Sequence, residues 1–513
     1  MRPIIGILYL ALILFVTSCT KEWDDHYNKV PDTINTNVWD AIKGEPSLSK
    51  FAALMEKFKY DTLFQSNDTY TIFAPDNNAI DEIQKTEEIS ASILNYHIST
   101  IFIQPVDIQG SRKLQTLDEK YSTFENVKGN PSYDGIALTF ESPLYMNGKF
   151  FIMGKVARPK LNLYEYYTIN NPYLKAYIDK QDSIIIDKEK SRPIGFDEMG
   201  NTVYDTVSVK VNLFEEKYFP ISEEFRAWTA TYVFPRKEKY ENALTEMATK
   251  LGGKFHTYQD IPVKWQEDVL IPYLVDHGTF LNSLEVSEFK PIRIKNNRRV
   301  FNMLNIVGDS IIADYIPTDR YLASNGISYD YSSFVIPDSL FSGAAKYEGE
   351  WLARQTGANK FAWRKNVVVN STSYFDVSNS YIKGESNDSI LVVNFAKGYK
   401  GTYSLQFKIK NLFPRKYRMI VHTHMDIGGI YEVYINDVLV KSFDYYDYVK
   451  YRGLIKSVTG ATLVPVGRYN SFDCWVDNIT EYGQPTVRFE YKGPGNAPNN
   501  GLVLDVIEFI PAP

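Results

Sequence analysis

The apolar positions of the chain fall into three textures. Between Val38 and Phe58 lie two short amphipathic stretches, Val38–Ile42 and Leu48–Phe58, which read as opening helices through the resemblance given below. A β-rich run, Thr69 to Ala74, follows and stops at Pro75, and Asp76-Asn77-Asn78 reads as a polar cap opening another helix. Ile93 to Ile98 has helical spacing and holds the pair Tyr96-His97. Asn147-Gly148 reads as a turn into the strand Lys149 to Val156.

The same order returns, eroded, further along. Thr229 to Pro235 leads into Tyr240–Leu244, then comes Leu270 to His277, and then Asn325-Gly326 running into Ile327–Asp330 and Val335–Pro337. Ahead of this second copy, Asn162 to Asp179 predicts one helix, with Leu163, Tyr166, Tyr167, Leu174 and Ile178 near one face. Between helix and second copy, Ser183–Asp187 and Thr202–Val211 alternate as strands, joined through Asp197-Glu198-Met199-Gly200-Asn201. This predicts a hairpin insertion over about residues 180–215, serving either a contact with another molecule or packing against the first copy. From about Lys346 the texture turns to short alternating strands. Those around 367–369, 389–395, 401–409, 417–423, 431–435, 486–491 and 503–510 predict an all-β sandwich.

Quoted in order, the blocks Thr69-Tyr70-Thr71-Ile72-Phe73-Ala74-Pro75-Asp76-Asn77-Asn78-Ala79, Asn95-Tyr96-His97 and Asn147-Gly148-Lys149-Phe150-Phe151-Ile152 resemble the fasciclin (FAS1) domain. Met153-Gly154 departs from the Ile-Asp usual in its closing strand. The resemblance implies a FAS1 domain over 36–158 and a second, degenerate FAS1-like domain over 159–341, which with the terminal sandwich, a jelly roll over 345–513, makes an α+β fold. Gly401-Thr402-Tyr403-Ser404-Leu405, Val433-Tyr434-Ile435-Asn436-Asp437 and Leu504-Asp505-Val506-Ile507 resemble the galactose-binding-like jelly roll of carbohydrate-binding modules. That resemblance implies a structural calcium on Glu348, Glu350 and Asp505, whose oxygens suit a hard cation. The alternative is a set of ordinary exposed carboxylates.

The amino terminus adds an address. Arg2, the apolar run Ile4–Phe15 and Val16-Thr17-Ser18-Cys19 read as a signal peptide over 1–18, too short to span a bilayer. Val-Thr-Ser-Cys resembles a bacterial lipobox, which implies acylation of Cys19 and a membrane anchor through a tether over 19–35. The acidic stretch after Cys19, with Glu22, Asp24 and Asp25, resembles the export tag of lipoproteins on the outer face of the outer membrane. Of two cysteines only Cys474 is then left, so no disulfide framework is expected. A net charge of −6 argues against nucleic acid as partner.

Candidate chemistry is sparse. No phosphate-binding glycine loop, His-Glu-x-x-His, Gly-x-Ser-x-Gly or Cys-x-x-Cys occurs, and an enzyme is not expected. Among six histidines, His97 reads as structural, and His422 and His424 share a strand face without an evident third metal ligand. Aromatics make 15% of the chain; Tyr445, Tyr446, Tyr448 and Tyr451 crowd one loop with Asp444 and Asp447, and Trp475 follows Cys474. Such a platform stacks a sugar ring or anchors a protein contact. Lipoproteins of this build resemble accessory proteins of TonB-dependent (SusC/SusD-type) nutrient importers. That implies a non-catalytic accessory subunit beside an outer-membrane importer and its lipoprotein lid. The alternative is a surface protein whose sandwich binds polysaccharide.

Overall fold

The computed structural model describes residues 34–512, apart from 66–67, 106–107, 109, 225–229, 290–292, 296–297, 301–316, 352–366, 372–374, 382–385, 396–398, 425–426, 446–454, 464–468 and 496–498. Cys19, the signal peptide, Tyr446, Tyr448 and Tyr451 lie outside the described residues. The chain forms two compact units, residues 1–239 with 274–333, and residues 240–273 with 334–513.

In the first unit, helices Val38–Gly44 and Ser49–Lys57 bury Val38, Ile42, Phe51 and Met55, the positions that the three-to-four spacing selects. Asn37, Asp76 and Ser90 cap helices Val38–Gly44, Asn77–Gln84 and Ala91–Tyr96 through their side chains, each answering one orphan N–H. A seven-stranded sheet runs Ile98–Ser99, Tyr70–Pro75, Gly148–Met153, Ile136–Glu141, Asn130–Tyr133, Tyr121–Val127, Gly110–Gln115. Tyr70–Pro75 pairs parallel with Gly148–Met153, and all twelve of these residues are buried.

Two buried polar devices hold this arrangement. The Thr71 hydroxyl donates to Ile101 O at 2.8 Å and accepts from Ile103 N at 3.2 Å. Asn147 accepts from Val38 N at 2.9 Å and donates to Phe64 O at 3.0 Å, tying the opening helix to the closing strand. The Asn147-Gly148 pair is therefore a clamp, where the sequence read only as a turn. Gly148 has φ +139°, and a Cβ there would stand 1.9 Å from Tyr70 O.

The second copy repeats the plan in four strands: Thr279–Leu281, Ala230–Val233, Gly326–Tyr331, Pro317–Leu322. Ala230–Val233 again pairs parallel with the strand that follows an Asn-Gly pair. The Thr231 hydroxyl donates to Asn282 O at 2.7 Å and accepts from Leu284 N at 2.9 Å. Asn325 accepts from Leu163 N at 2.9 Å and donates to Ile221 O at 2.6 Å. The expected single helix over 162–179 is instead two, Leu163–Asn170 and Pro172–Asp179. Pro172 has no N–H to continue the first helix, and it disfavours helical backbone at Asn171, which lies at φ −135°, ψ 58°. Asn162 and Glu165 form a capping box at the start. The two copies meet through charged groups: Lys120 bridges Glu165 at 2.7 Å and Glu224 at 3.3 Å, and Lys113 donates to Ser324 O at 2.9 Å.

The insertion is a long antiparallel ribbon, Asp182–Phe196 with Thr202–Asn212. Its turn is set by Asp197, whose carboxylate accepts from Met199 N and Asn201 N, and by Gly200 at φ +82°. Ser191 stitches the bulge, donating to Asp187 O and accepting from Val207 N.

In the second unit, the sheet Val367–Ser371, Tyr403–Lys408, Thr486–Gly493, Ile430–Ile435, Val438–Asp444 shares one core with two four-stranded sheets. One runs Ala345–Glu348, Val506–Pro511, Tyr417–His424, Tyr469–Val476, and the other Phe375–Tyr381, Ser389–Phe395, Asn499–Leu504, Ile427–Gly428. Alternate residues point inward, among them Tyr403, Leu405 and Phe407 opposite Tyr491, Phe489 and Val487. The final run is broken at Asp505, so its first half pairs with Ser389–Phe395 and its second with Tyr417–His424. The fold is thus α+β, two tandem fasciclin-like domains followed by an all-β sandwich of jelly-roll type.

Candidate binding surfaces

The predicted aromatic platform does not form as expected at its first residue. Tyr445 is 1% exposed, its hydroxyl donates to Val503 O at 3.1 Å, and its ring meets Tyr431 edge-on at 5.4 Å. It is a core residue, because it continues the alternation of Val438–Asp444 and finds an acceptor inside the sandwich. Trp475 does face outward. It sits opposite Arg418 on the neighbouring strand, half-buried, with the Lys416 ammonium 4.5 Å above its ring. Arg418 pairs with Asp473 at 2.6 Å, and Asp473 also accepts from Ser457 Oγ and Val458 N. His422 lies 4.0 Å from Glu508, which also takes Lys346 at 2.6 Å, and burial holds its imidazole below the usual range. Cys474 points into the core, and burial pushes its thiol up to about 12, so it is inert as a nucleophile.

Glu348, Glu350 and Asp505 gather at one end of the sandwich. Gly349 N donates to Asp505 O at 2.6 Å, and Glu350 and Asp505 are buried. Asp505 Oδ1 accepts from Ser386 N at 3.0 Å, and Glu350 Oε1 accepts from Asn387 at 3.3 Å. Glu348 Oε2 and Glu350 Oε2 are buried with no hydrogen-bond donor among the described residues. Buried anionic oxygens of this kind are costly alone and suit a hard cation. Yet among the described residues no three His, Cys, Asp or Glu side chains converge as one ligand set.

In the first domain, His97 is fully buried: its Nδ1 lies 2.7 Å from Ile93 O, and its Nε2 accepts from Ala157 N at 3.0 Å. These partners assign a neutral ring with the proton on Nδ1, and burial lowers its pKa to about 4. Tyr96 beside it donates to Asp134 at 2.6 Å, and Asp134 also pairs with Lys160 at 2.6 Å. Both groups of the Tyr-His pair are spoken for, so they serve packing.

The ribbon is apolar on its exposed surface. Ile184, Ile186, Ile194, Phe196, Met199 and Tyr204 are each at least half exposed. Its sequence signal is Ile184-Ile185-Ile186, a run that strand propensity alone also explains. Among the described residues, no helix is long and apolar enough to cross a membrane.

Comparison with known proteins matches part of this plan. No curated protein matches the chain. Among solved structures, a FAS1 domain pair from the insect cell adhesion molecule Fasciclin I aligns at 12% identity and TM-score 0.21, covering 57% of this chain and 98% of that one. A family 35 carbohydrate-binding module from Clostridium thermocellum aligns at 12% identity and TM-score 0.19, covering 33% of this chain and 99% of that one. A module of the same family from Paenibacillus barcinonensis aligns at 14% identity and TM-score 0.20, covering 33% and 99%. At such scores none of these likenesses assigns a residue. The family model described as the Fasciclin domain matches residues 46–153, the stretch whose helices, parallel strand pair and Asn-Gly clamp are set out above.

Proposed function

We propose that the chain is a non-catalytic accessory subunit, lipid-anchored through Cys19 on the outer face of the outer membrane, that docks on a SusC/SusD-type TonB-dependent nutrient importer. The observation that carries this reading is the apolar ribbon, Asp182–Phe196 with Thr202–Asn212. A two-stranded ribbon is at best marginally stable in water, and free edges with exposed isoleucines are a liability that proteins ordinarily blunt. A ribbon with Ile184 at 76% and Phe196 at 76% exposure is accounted for by a protein partner that covers it. The anchor and the charged junction at Lys120 would keep both fasciclin-like domains facing that partner as one body. The test is to tag the carboxyl terminus, solubilise outer membranes of the native host gently and identify the co-purifying proteins. A stoichiometric importer and lid support the reading, and recovery of the chain alone overturns it.

A second reading, capture of polysaccharide by the sandwich, draws on the outward Trp475 beside Arg418 and Asp473. Retention in a polysaccharide gel that is lost on Trp475→Ala would favour it.

A further inference from the structure

A cleft of about 340 Å³ opens within the second unit, between the turn that follows helix Lys237–Leu251 and the sandwich loop 479–485. Its lining includes Lys254, Phe255, Lys264, Pro414, Glu481 and Tyr482. A smaller depression of about 210 Å³ shares Thr480, Glu481 and Tyr482 and continues along the loop. The volume is at the lower end of small-molecule sites, roughly 300–1,000 Å³.

The walls are fixed in place. Phe255 packs on Phe413 at 5.6 Å, and Phe413 meets Trp265 at 5.4 Å and Phe341 at 6.3 Å, so both walls hang on one aromatic cluster. Lys254 reaches across to donate to Thr480 O at 2.7 Å. The loop is pinned by Leu412 and Gly483, each donating its N–H to the other's carbonyl, and by Ile409 N donating to Pro485 O at 3.1 Å. Asn411 donates to the Tyr482 hydroxyl at 3.2 Å and to Asp268 at 3.3 Å, which sets the ring's position.

What is left unused defines the ligand. The Tyr482 ring is half-buried and carries no stacked ring or cation among the described residues, whereas Trp475 already lies under Lys416. Glu481 and Lys264 are exposed and make no ion pair or hydrogen bond among the described residues. Asp260 is taken by His256 N and Thr257 N. Two lysines against two carboxylates leave the cleft near neutrality, which disfavours a phosphate or other multiply charged ligand. An extended peptide needs free backbone partners. Here Gly483, Pro485 and Thr480 carbonyls are engaged, and Pro262, Pro414 and Pro485 have no N–H. A free aromatic face flanked by one free acceptor and one free donor, with three of the neighbouring carbonyls already engaged, matches a pyranose, whose C–H face stacks while its hydroxyls take side-chain partners. We propose that this cleft is a saccharide-binding site, with Tyr482 as the stacking platform and Glu481 and Lys264 as hydroxyl partners. It stands apart from the importer reading and deepens the glycan reading, on which it rests.

The test titrates the full, detergent-solubilised chain with cellotetraose, xylotetraose, β-1,4-mannotetraose and β-1,4-galactotetraose by calorimetry, with saturation-transfer NMR to report which sugar protons touch aromatic rings. At least one tetrasaccharide should bind. Tyr482→Ala should weaken it by about tenfold or more, and the exposed change Glu481→Gln by about threefold, with the melting temperature unmoved. If binding survives both changes and falls only with Trp475→Ala, the cleft assignment is overturned and the glycan reading stands. If none of the four binds, both are overturned, and importer co-purification is untouched by either result.

Discussion

The two fasciclin-like domains use the same buried devices and differ in what they expose. Thr71 and Thr231 each donate to one backbone carbonyl and accept one N–H beyond the neighbouring strand, and Asn147 and Asn325 each hold an opening helix to a closing strand. These groups are buried and satisfied, so losing one strands a polar partner in a dry interior. The first domain spends its extra residues on strands Gly110–Gln115, Tyr121–Val127 and Asn130–Tyr133, which extend its sheet. The second spends them on a ribbon that joins no larger sheet among the described residues. Shared clamps mark what the fold needs, and the ribbon marks what the second copy adds.

The comparison breaks most sharply at the glycines. Gly148→Ala forces a Cβ against Tyr70 O in a left-handed backbone, while Gly326→Ala meets Ala230 O at 2.7 Å with no such φ. The first should cost about 4 kcal/mol or more and the second about 2 kcal/mol. Native-state hydrogen exchange of Tyr70–Pro75 and Ala230–Val233 reads each locally, and equal losses would refute the ranking.

Acid should separate the two copies next. His97 titrates near 4 when folded against 6.5 when unfolded, so the unfolded chain binds more protons between those values. Its contribution is present above pH 6.5 and is lost as pH falls towards 4, on the order of 3 kcal/mol in all. Exchange protection in the first domain should fall over that window, and His97→Gln should flatten the slope. An unchanged slope in that variant would count against the buried neutral ring.

Smaller effects sharpen the parallel. Thr71→Val and Thr231→Val should each cost about 1–3 kcal/mol, by matching amounts, in urea unfolding read locally by exchange.

Much of the fold was legible because it rests on local pattern. Asp76 capping its helix, the strand that ends at Pro75 and the inward alternation of Tyr403, Leu405 and Phe407 are all local signals. The clamp at Asn147 was not, since its partners Val38 and Phe64 are distant in sequence and the Asn-Gly pair imitates a hairpin turn. Pro172 was legible as a breaker and was overridden by the apolar spacing around it. Tyr445 misled because an aromatic loop and a strand end share composition, and only the sandwich shows which tyrosine turns inward. The cleft at Tyr482 needs residues 254–264 beside 479–485, a juxtaposition that no local signal carries.

The most direct test of the account compares the tagged full-length chain with one in which 183–211 is replaced by a short Gly-Ser link, both recovered from native outer membranes. Cutting the ribbon should change stability little, because its apolar residues are exposed. A stoichiometric importer should accompany the full-length chain and none the shortened one. Equal recovery of the importer with both, or of neither, would contradict it.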